Sequence, residues 1–405
     1  MIVTERRLGK LRKVIQMTKE QNFFIQILSD HLGGRETAPP EDGFDWSALY
    51  SLSHAHEVDG IVYSQCGRYV PDELRAKYER GYAAATFFYG NRVSEVKRIC
   101  DAFRETGVQY YTIKGLDVAK YYPFPALRTM GDNDFVVSDM PAAIRALRSH
   151  GYEGNEDENV HEWSFDRNGM HFEVHDQLVK YDEFTTKTQD SFFRDFMPYA
   201  KDGALDPNYH FMFLLMHLRK HLISYGVGIR QFMDLAVMIK NEPGLDPAWL
   251  EKDLLKTGLD RFARSCFYLI DSWFGIKALI KYDRIDSAEK ITEHILKSGV
   301  FGGANKENIQ KVSQNQLVLG TGSRFSNRAR SLLRSTFPPY EMMSKYPGCR
   351  FIEGKKYLLP AAWVKRFGYL IVRKDHSASK RTIEQSFTSN EELKERGDLL
   401  RNMGL

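Results

Sequence analysis

Apolar positions recur at helical spacing from about Leu8 to Leu32, through Leu11, Val14, Ile15, Phe24, Ile27 and Leu28, and the pattern stops at Gly33-Gly34. One helix is predicted there. Pro39-Pro40 marks a loop, Asp45 is placed to cap a helix near Trp46 to His56, and a long helical run from Asp72 to Thr106 ends before Gly107. The first part of the chain therefore reads as all-helical.

The period changes at Val108. Val108 to Ile113 reads as a strand ending in Lys114-Gly115, followed by a short helix through Tyr121 and a Pro123-Phe124-Pro125 loop. Asp132 to Val137 reads as a second strand, and Ser138 or Asp139 then caps a helix with Pro141 in its first turn and Gly151 after its end. Asn159 to Asp166 and Met170 to Leu178 read as a hairpin about Arg167-Asn168-Gly169. Helical periodicity returns from Tyr209, from Arg230 to Ile239, and through Leu250–Leu255, Phe262–Phe274 and Ala288–Leu296. Phe301 to Ser326 reads as a linker or surface excursion. A basic stretch follows from Arg324 to Lys356, then an apolar helix candidate over Tyr357 to Val372 broken by Lys365 and Arg366, and a polar, partly mobile tail after Lys374. The expected organisation is a helical region over 1–106, an α/β core over 107–182, a second helical region over 183–300, and a linker, basic segment, helix and tail over 301–405.

Composition narrows the class. The chain has 405 residues, 42% hydrophobic and 27% charged, which suits a soluble protein with a substantial core. A net charge of +4 implies no bulk polyanion binding by itself. Cys66, Cys100, Cys266 and Cys349 lie far apart, against a zinc knuckle or a disulfide framework and in favour of a reduced, cytoplasmic compartment. No stretch approaches the roughly 20 apolar residues needed to span a bilayer.

The chemistry concentrates between Tyr110 and Leu178. In Asp132-Asn133-Asp134 the acids stand at i and i+2, so the strand period turns both to one face. In His171-Phe172-Glu173-Val174-His175 the alternation puts Phe172 and Val174 in a core and Glu173 with both histidines on the other face. Clustered carboxylates raise one another's pKa unless a cation neutralises them, and three acids on two strands suit Mg²⁺. A strand that ends at a Lys-Gly turn lets backbone N–H groups and the Lys114 ammonium approach an anion. The His171-Glu173-His175 set also suggests Zn²⁺, but two histidines and a glutamate on one strand lack a fourth ligand. His175 is expected to orient Glu173, and Arg230 and Asp234, at i and i+4, to form an intrahelical salt bridge.

The order strand, Lys114-Gly115, Arg128-x-x-Gly131-Asp132-x-Asp134, helix, Glu173-x-His175 resembles the uncharacterised bacterial nucleotidyltransferase family within the DNA polymerase beta-type nucleotidyltransferase superfamily. The likeness continues in Trp46-Ser-Ala-Leu, Pro71-Asp-Glu-Leu, His217-Leu-Arg-Lys-His221, Arg230-Gln-Phe-Met-Asp234 and Leu358-Leu-Pro360. One departure is Lys114-Gly115 where the superfamily usually has Gly-Ser or Gly-Gly. The resemblance implies an α+β fold, a small mixed-sheet nucleotidyltransferase core flanked by helical regions. It implies Asp132, Asp134 and Glu173 as ligands of two Mg²⁺ ions, and an NTP held by Lys114, Gly115, Arg128 and Gly131. The implied reaction moves a nucleoside monophosphate to an acceptor, expected to be a small molecule, with release of pyrophosphate. It also brings His221 or Arg230 near the nucleotide. The rival readings are a non-catalytic nucleotide-binding regulator and a transferase acting on nucleic acid, the latter supported only by the basic segment.

Overall fold

A computed structural model describes residues 17–157, 162–179, 185–201, 203–224, 227–299, 337, 340–344, 348–352, 354–372 and 390–405. The predicted linker over 301–326 and most of the basic stretch lie outside the described residues, as does the beginning of the first predicted helix.

The N-terminal helices are α1 (Lys19–Gly33), α2 (Trp46–Ala55), α3 (Asp59–Cys66) and α4 (Asp72–Glu105). Asp45 caps α2 as expected, its carboxylate accepting from the N–H groups of Ser47 and Ala48. With 34 residues, α4 is about 50 Å long at the usual helical rise. Its first half packs on α2 and α3, and its second half, through Ile99 and Phe103, lies beneath a sheet. This one helix therefore fixes the sheet relative to the N-terminal bundle.

The sheet contains β1 (Tyr110–Ile113), β2 (Asp134–Val137), β3 (Asn155–Asp157), β4 (Glu162–Arg167) and β5 (Met170–His175), in the order β1-β2-β5-β4-β3. Between the first two strands runs α5 (Gly115–Ala119), and α6 (Met140–Ser149) follows β2. Only the β2–β5 pair is parallel, so the sheet is mixed as expected. Asn168 and Gly169, with φ of 52° and 72°, form the two-residue turn between β4 and β5. Positive φ at both positions matches the twist of the paired strands, which is why Asn-Gly stands there. Sequence periodicity missed β3, whose three residues Asn-Glu-Asp are polar.

Alternation divides the sheet between two cores. Phe135, Val137, Phe172 and Val174 pack with Ile99 and Phe103 of α4 and Leu147 of α6. Tyr111, Ile113 and Val136 point the other way, into the larger helical core. That core collects α7 (Lys187–Arg194), α8 (Pro207–Ser224), α9 (Ile229–Asn241), α10 (Pro247–Thr257), α11 (Asp260–Phe274) and α12 (Ala288–Ser298) together with α1 to α3. A two-stranded ribbon, β6 (Ala200–Lys201) and β7 (Ala204–Leu205), joins the edge of β1 through Thr112 N–H on Gly203 O at 3.3 Å.

The C-terminal end departs from the expected polar tail. Residues Asn390–Asn402 are helical, and Leu400 and Met403 are fully buried in the larger core. The charged residues of that helix conceal an apolar edge too short to register in composition. Lys365 and Arg366 likewise do not break their helix, which runs from Leu359 to Val372. Among the described residues no helix is long and apolar enough to cross a membrane.

Candidate active site

The parallel pairing of β2 with β5 sets Asp134 opposite Glu173 and Val136 opposite His175. Because side chains alternate along a strand, Asp134, Glu173 and His175 all leave the sheet on the face turned toward α8 and α9. The pairing extends one residue beyond the strand: Asn133 N–H donates to His171 O at 3.1 Å, and Glu173 N–H to Asn133 O at 2.9 Å. The Asn133 amide adds a bond to His171 O at 3.0 Å. Asn133 is thus the residue that locks the two acidic segments in register.

Donor atoms of Asp134, Glu173 and His175 lie within 4.8 Å of one another, close enough to share a cation. His175 Nε2 is 3.3 Å from both Asp134 Oδ1 and Glu173 Oε2. Burial disfavours charge on this imidazole, but its bonds to Asp134 and Glu173 prevail and push its pKa up to about 9. Its bond to Glu173, working against burial, in turn keeps that carboxyl below the usual range. His171 also reaches Glu173, with Nε2 at 3.3 Å, but its Nδ1 is on Asp166 at 2.9 Å and it is not one of the three residues whose donor atoms converge. The assembled group therefore combines two acids from neighbouring strands with one histidine, rather than the His-Glu-His set of a single strand.

Asp132 lies just outside β2, half-exposed, and is tied to the group through Lys114. The Lys114 ammonium is 2.7 Å from Asp134 and 3.8 Å from Asp132. Burial opposes its charge, but Asp134 and Asp132 outweigh it, so the lysine pKa is raised. Burial likewise resists ionisation of Asp132, and Lys114 holds its pKa low regardless. Lys114 and His175 are the counter-charges of the acids in this structure.

The turn that carries Lys114 is strained. Lys114 has φ 58° and ψ −135°, and Gly115 has φ 37°. Non-glycine residues rarely adopt such a backbone, and they do so where the surroundings impose it. Here Lys114 N–H donates to Nε2 of buried His210 at 3.3 Å. Burial pushes the His210 pKa down to about 3, keeping the ring neutral and able to accept. Gly131 has no such conformational need, and a Cβ there would meet nothing within 4 Å. Its glycine leaves open space in front of the backbone beside Asp132.

Two pairings differ from the sequence-based expectations. Arg128 and Asp234 are buried together and doubly bonded, Nε to Oδ1 at 2.8 Å and Nη2 to Oδ2 at 2.7 Å, with Tyr122 donating to the same Oδ1 at 2.8 Å. Arg230 does not pair with Asp234 in its own helix. Its Nη1 donates instead to Glu57 at 2.7 Å and to Thr129 Oγ1 at 2.6 Å. Asp234 faces the connection between α5 and β2, and Arg230 faces the turn between α2 and α3, so i, i+4 spacing does not bring them together. Arg128 sits at the cavity with both forks of its guanidinium already engaged.

A cavity of about 60 Å³ opens between the Lys114–Gly115 turn and α9, lined also by Gly131, Asp132, His217 and Arg230. The His217 and His221 rings are 4.3 Å apart on α8, and burial lowers both pKa values, that of His221 to about 4. Sequence reasoning missed Arg92 and Glu57. Arg92, on α4, donates Nη1 to Met130 O at 2.8 Å and so holds the segment leading to Asp132. Nothing local in the sequence distinguishes either residue, because both act across long separations.

Residues 42–275 match the model of a family described as an uncharacterised nucleotidyltransferase. The matched span runs from the loop before α2 to the end of α11 and contains every residue of the site. No curated protein and no solved structure matches the chain.

Proposed function

Since the chain belongs to the uncharacterised nucleotidyltransferase family and is a transferase by that membership, we propose that it moves a nucleoside monophosphate from an NTP to an acceptor, with Mg²⁺ and with pyrophosphate as the leaving group. The observation that carries the reading is the β2–β5 register, which sets Asp134 beside Glu173 with Asp132 two residues away. Oxygen-rich, partly open carboxylate sets suit Mg²⁺, which keeps waters and substrate phosphate among its ligands.

Asp132, Asp134 and Glu173 would hold two Mg²⁺ ions, and His175 is within reach as a further donor or as an orienting group. Bound there, the ions would neutralise charge on the attacking and leaving oxygens of an in-line displacement. In the transfer, the acceptor oxygen forms a bond to the α-phosphorus as the bond to the β-phosphate bridging oxygen breaks. Glu173 takes the acceptor proton or positions the group that does. Lys114, released from Asp134 when other cations arrive, is placed to meet phosphate oxygens, and the open backbone at Gly131 allows them close approach. Arg128 acts through Asp234 by stiffening the loop that leads to Asp132. We take a small molecule as the acceptor.

The test uses NTPs labelled at the α-phosphate, with Mg²⁺ and an extract containing candidate acceptors. Label should move to a new product while unlabelled pyrophosphate accumulates, and EDTA or Asp134→Asn should abolish both. Label recovered only as NTP or free nucleotide contradicts the reading.

A further inference from the structure

Four cations converge on the loop from Arg128 to Asp132, and they are not equally satisfied. Lys114 is matched by Asp134, and Arg128 by both oxygens of Asp234. Arg92 is buried, with one bond to Met130 O and its Nε without a partner among the described residues. Burial, reinforced by the neighbouring Arg128 and Arg230, pushes its pKa down to about 10. Arg92 is thus the one of the four that bonds a carbonyl and no carboxylate among the described residues.

Arg230 is the cation best placed to accept a ligand. It lines the cavity, and all of its hydrogen bonds among the described residues run through Nη1, leaving Nε and Nη2 uncommitted. Its acidic partner, Glu57, is about one-third exposed and belongs to the turn between α2 and α3 rather than to the sheet. Glu57 also has a left-handed backbone, φ 54°, where a non-glycine residue is uncommon. Thr129 ties the arrangement together, accepting from Arg230 and donating to Glu57 O at 2.6 Å. The cavity is polar and roomy enough for several waters. Glycines at 115 and 131 open its wall to the backbone. Space, glycines and an underused guanidinium together suit a phosphate group.

We infer that this cavity seats the terminal phosphates of the nucleoside triphosphate, that Arg230 grips them, and that Glu57 holds Arg230 in place until they arrive. The inference rests on the nucleotidyltransferase reading and deepens it, naming the group that receives the leaving pyrophosphate. Glu57 is a competing anion in this arrangement. Its removal should therefore help the ligand, whereas a purely structural ion pair predicts the opposite.

The experiment measures calorimetric binding of inorganic pyrophosphate to the full chain without metal, beside binding of a non-hydrolysable NTP with Mg²⁺. Arg230→Gln should weaken pyrophosphate at least tenfold, Arg230→Lys should recover part of the loss, and Glu57→Gln should tighten binding several-fold. Parent protein that binds no pyrophosphate, an Arg230→Gln variant of unchanged affinity, or weaker binding by Glu57→Gln overturns the inference. Should Arg230→Gln fail to fold, Glu57→Gln alone decides by the direction of its effect. Pyrophosphate bound through Arg230 without any NTP binding keeps the cavity and removes the transferase reading. NTP binding and turnover indifferent to Arg230→Gln do the reverse.

Discussion

Replacing Lys114 by Met removes the cation that sits between Asp132 and Asp134 while keeping most of the side-chain length. The lysine side chain is 13% exposed and Asp134 only 4%, so the pair is buried on both sides. Truncating one member of such a pair costs about 3–5 kcal/mol, because the remaining charge is left without its partner. His175, 3.3 Å from the other oxygen of Asp134, still offsets part of that charge. The loss should fall near the lower end, about 3 kcal/mol, or roughly 6 °C at about 2 °C per kcal/mol. A divalent ion should then reverse the defect, since it takes the place the ammonium has left. Melting measured in EDTA and in Mg²⁺ should show a lower starting point for Lys114→Met and a larger metal-induced rise than in the parent. Equal melting temperatures in EDTA, or an equal metal response, would refute the view of Lys114 as the resident counter-ion.

Asp234→Asn should destabilise by about 3–5 kcal/mol, read as a lower urea midpoint, because it strands the buried Arg128; the double change Arg128→Met with Asp234→Leu should be more stable than Asp234→Asn. Acid sensitivity should trace in part to His56, whose Nδ1 accepts from Ile229 N–H at 3.2 Å and whose Nε2 donates to Leu296 O at 3.1 Å. Burial lowers its pKa from 6.5 to about 4, so the unfolded chain takes up the proton first. The His56 contribution is complete above pH 6.5 and is lost progressively as pH falls toward 4, amounting to about 3 kcal/mol at most. His56→Gln should therefore flatten the dependence of the urea midpoint on pH across that range by up to one proton, and an unchanged slope would exclude this role.

The elements of the site that depend on local pattern were readable. Alternation in His171 to His175 gave the polar face of β5, and Asn168-Gly169 gave the hairpin turn; the i, i+2 acids both reach Lys114, although Asp132 lies outside the strand that was expected to carry it. The parallel pairing that makes these a single site was not readable, because β2 and β5 are separated by a helix and a hairpin and either could have taken another neighbour. A lysine at a strand end also suggests an exposed side chain with little part in packing. Its actual burial follows from the strained turn and the His210 bond, neither of which has a local signature. Arg128–Asp234 and Glu57–Arg230 were missed for the same reason, since spacing along one helix favoured a nearer partner. The helix at 390–402 was hidden by its charge, which outweighs in composition the burial of Leu400 and of Met403 just beyond its end.

The central claim is that the three acids hold metal for a nucleotide and do so unequally, and calorimetric titration of a non-hydrolysable NTP into the parent, Asp134→Asn and Glu173→Gln proteins tests it most directly. The parent should bind with Mg²⁺ and lose most of its affinity in EDTA. Asp134→Asn should lose binding and, because Asp134 also pairs with Lys114, some stability as well. Glu173→Gln should stay within a few-fold of the parent in affinity while transfer collapses. Equal binding by all three proteins, with no dependence on Mg²⁺, would contradict the account and leave these carboxylates with a structural role alone.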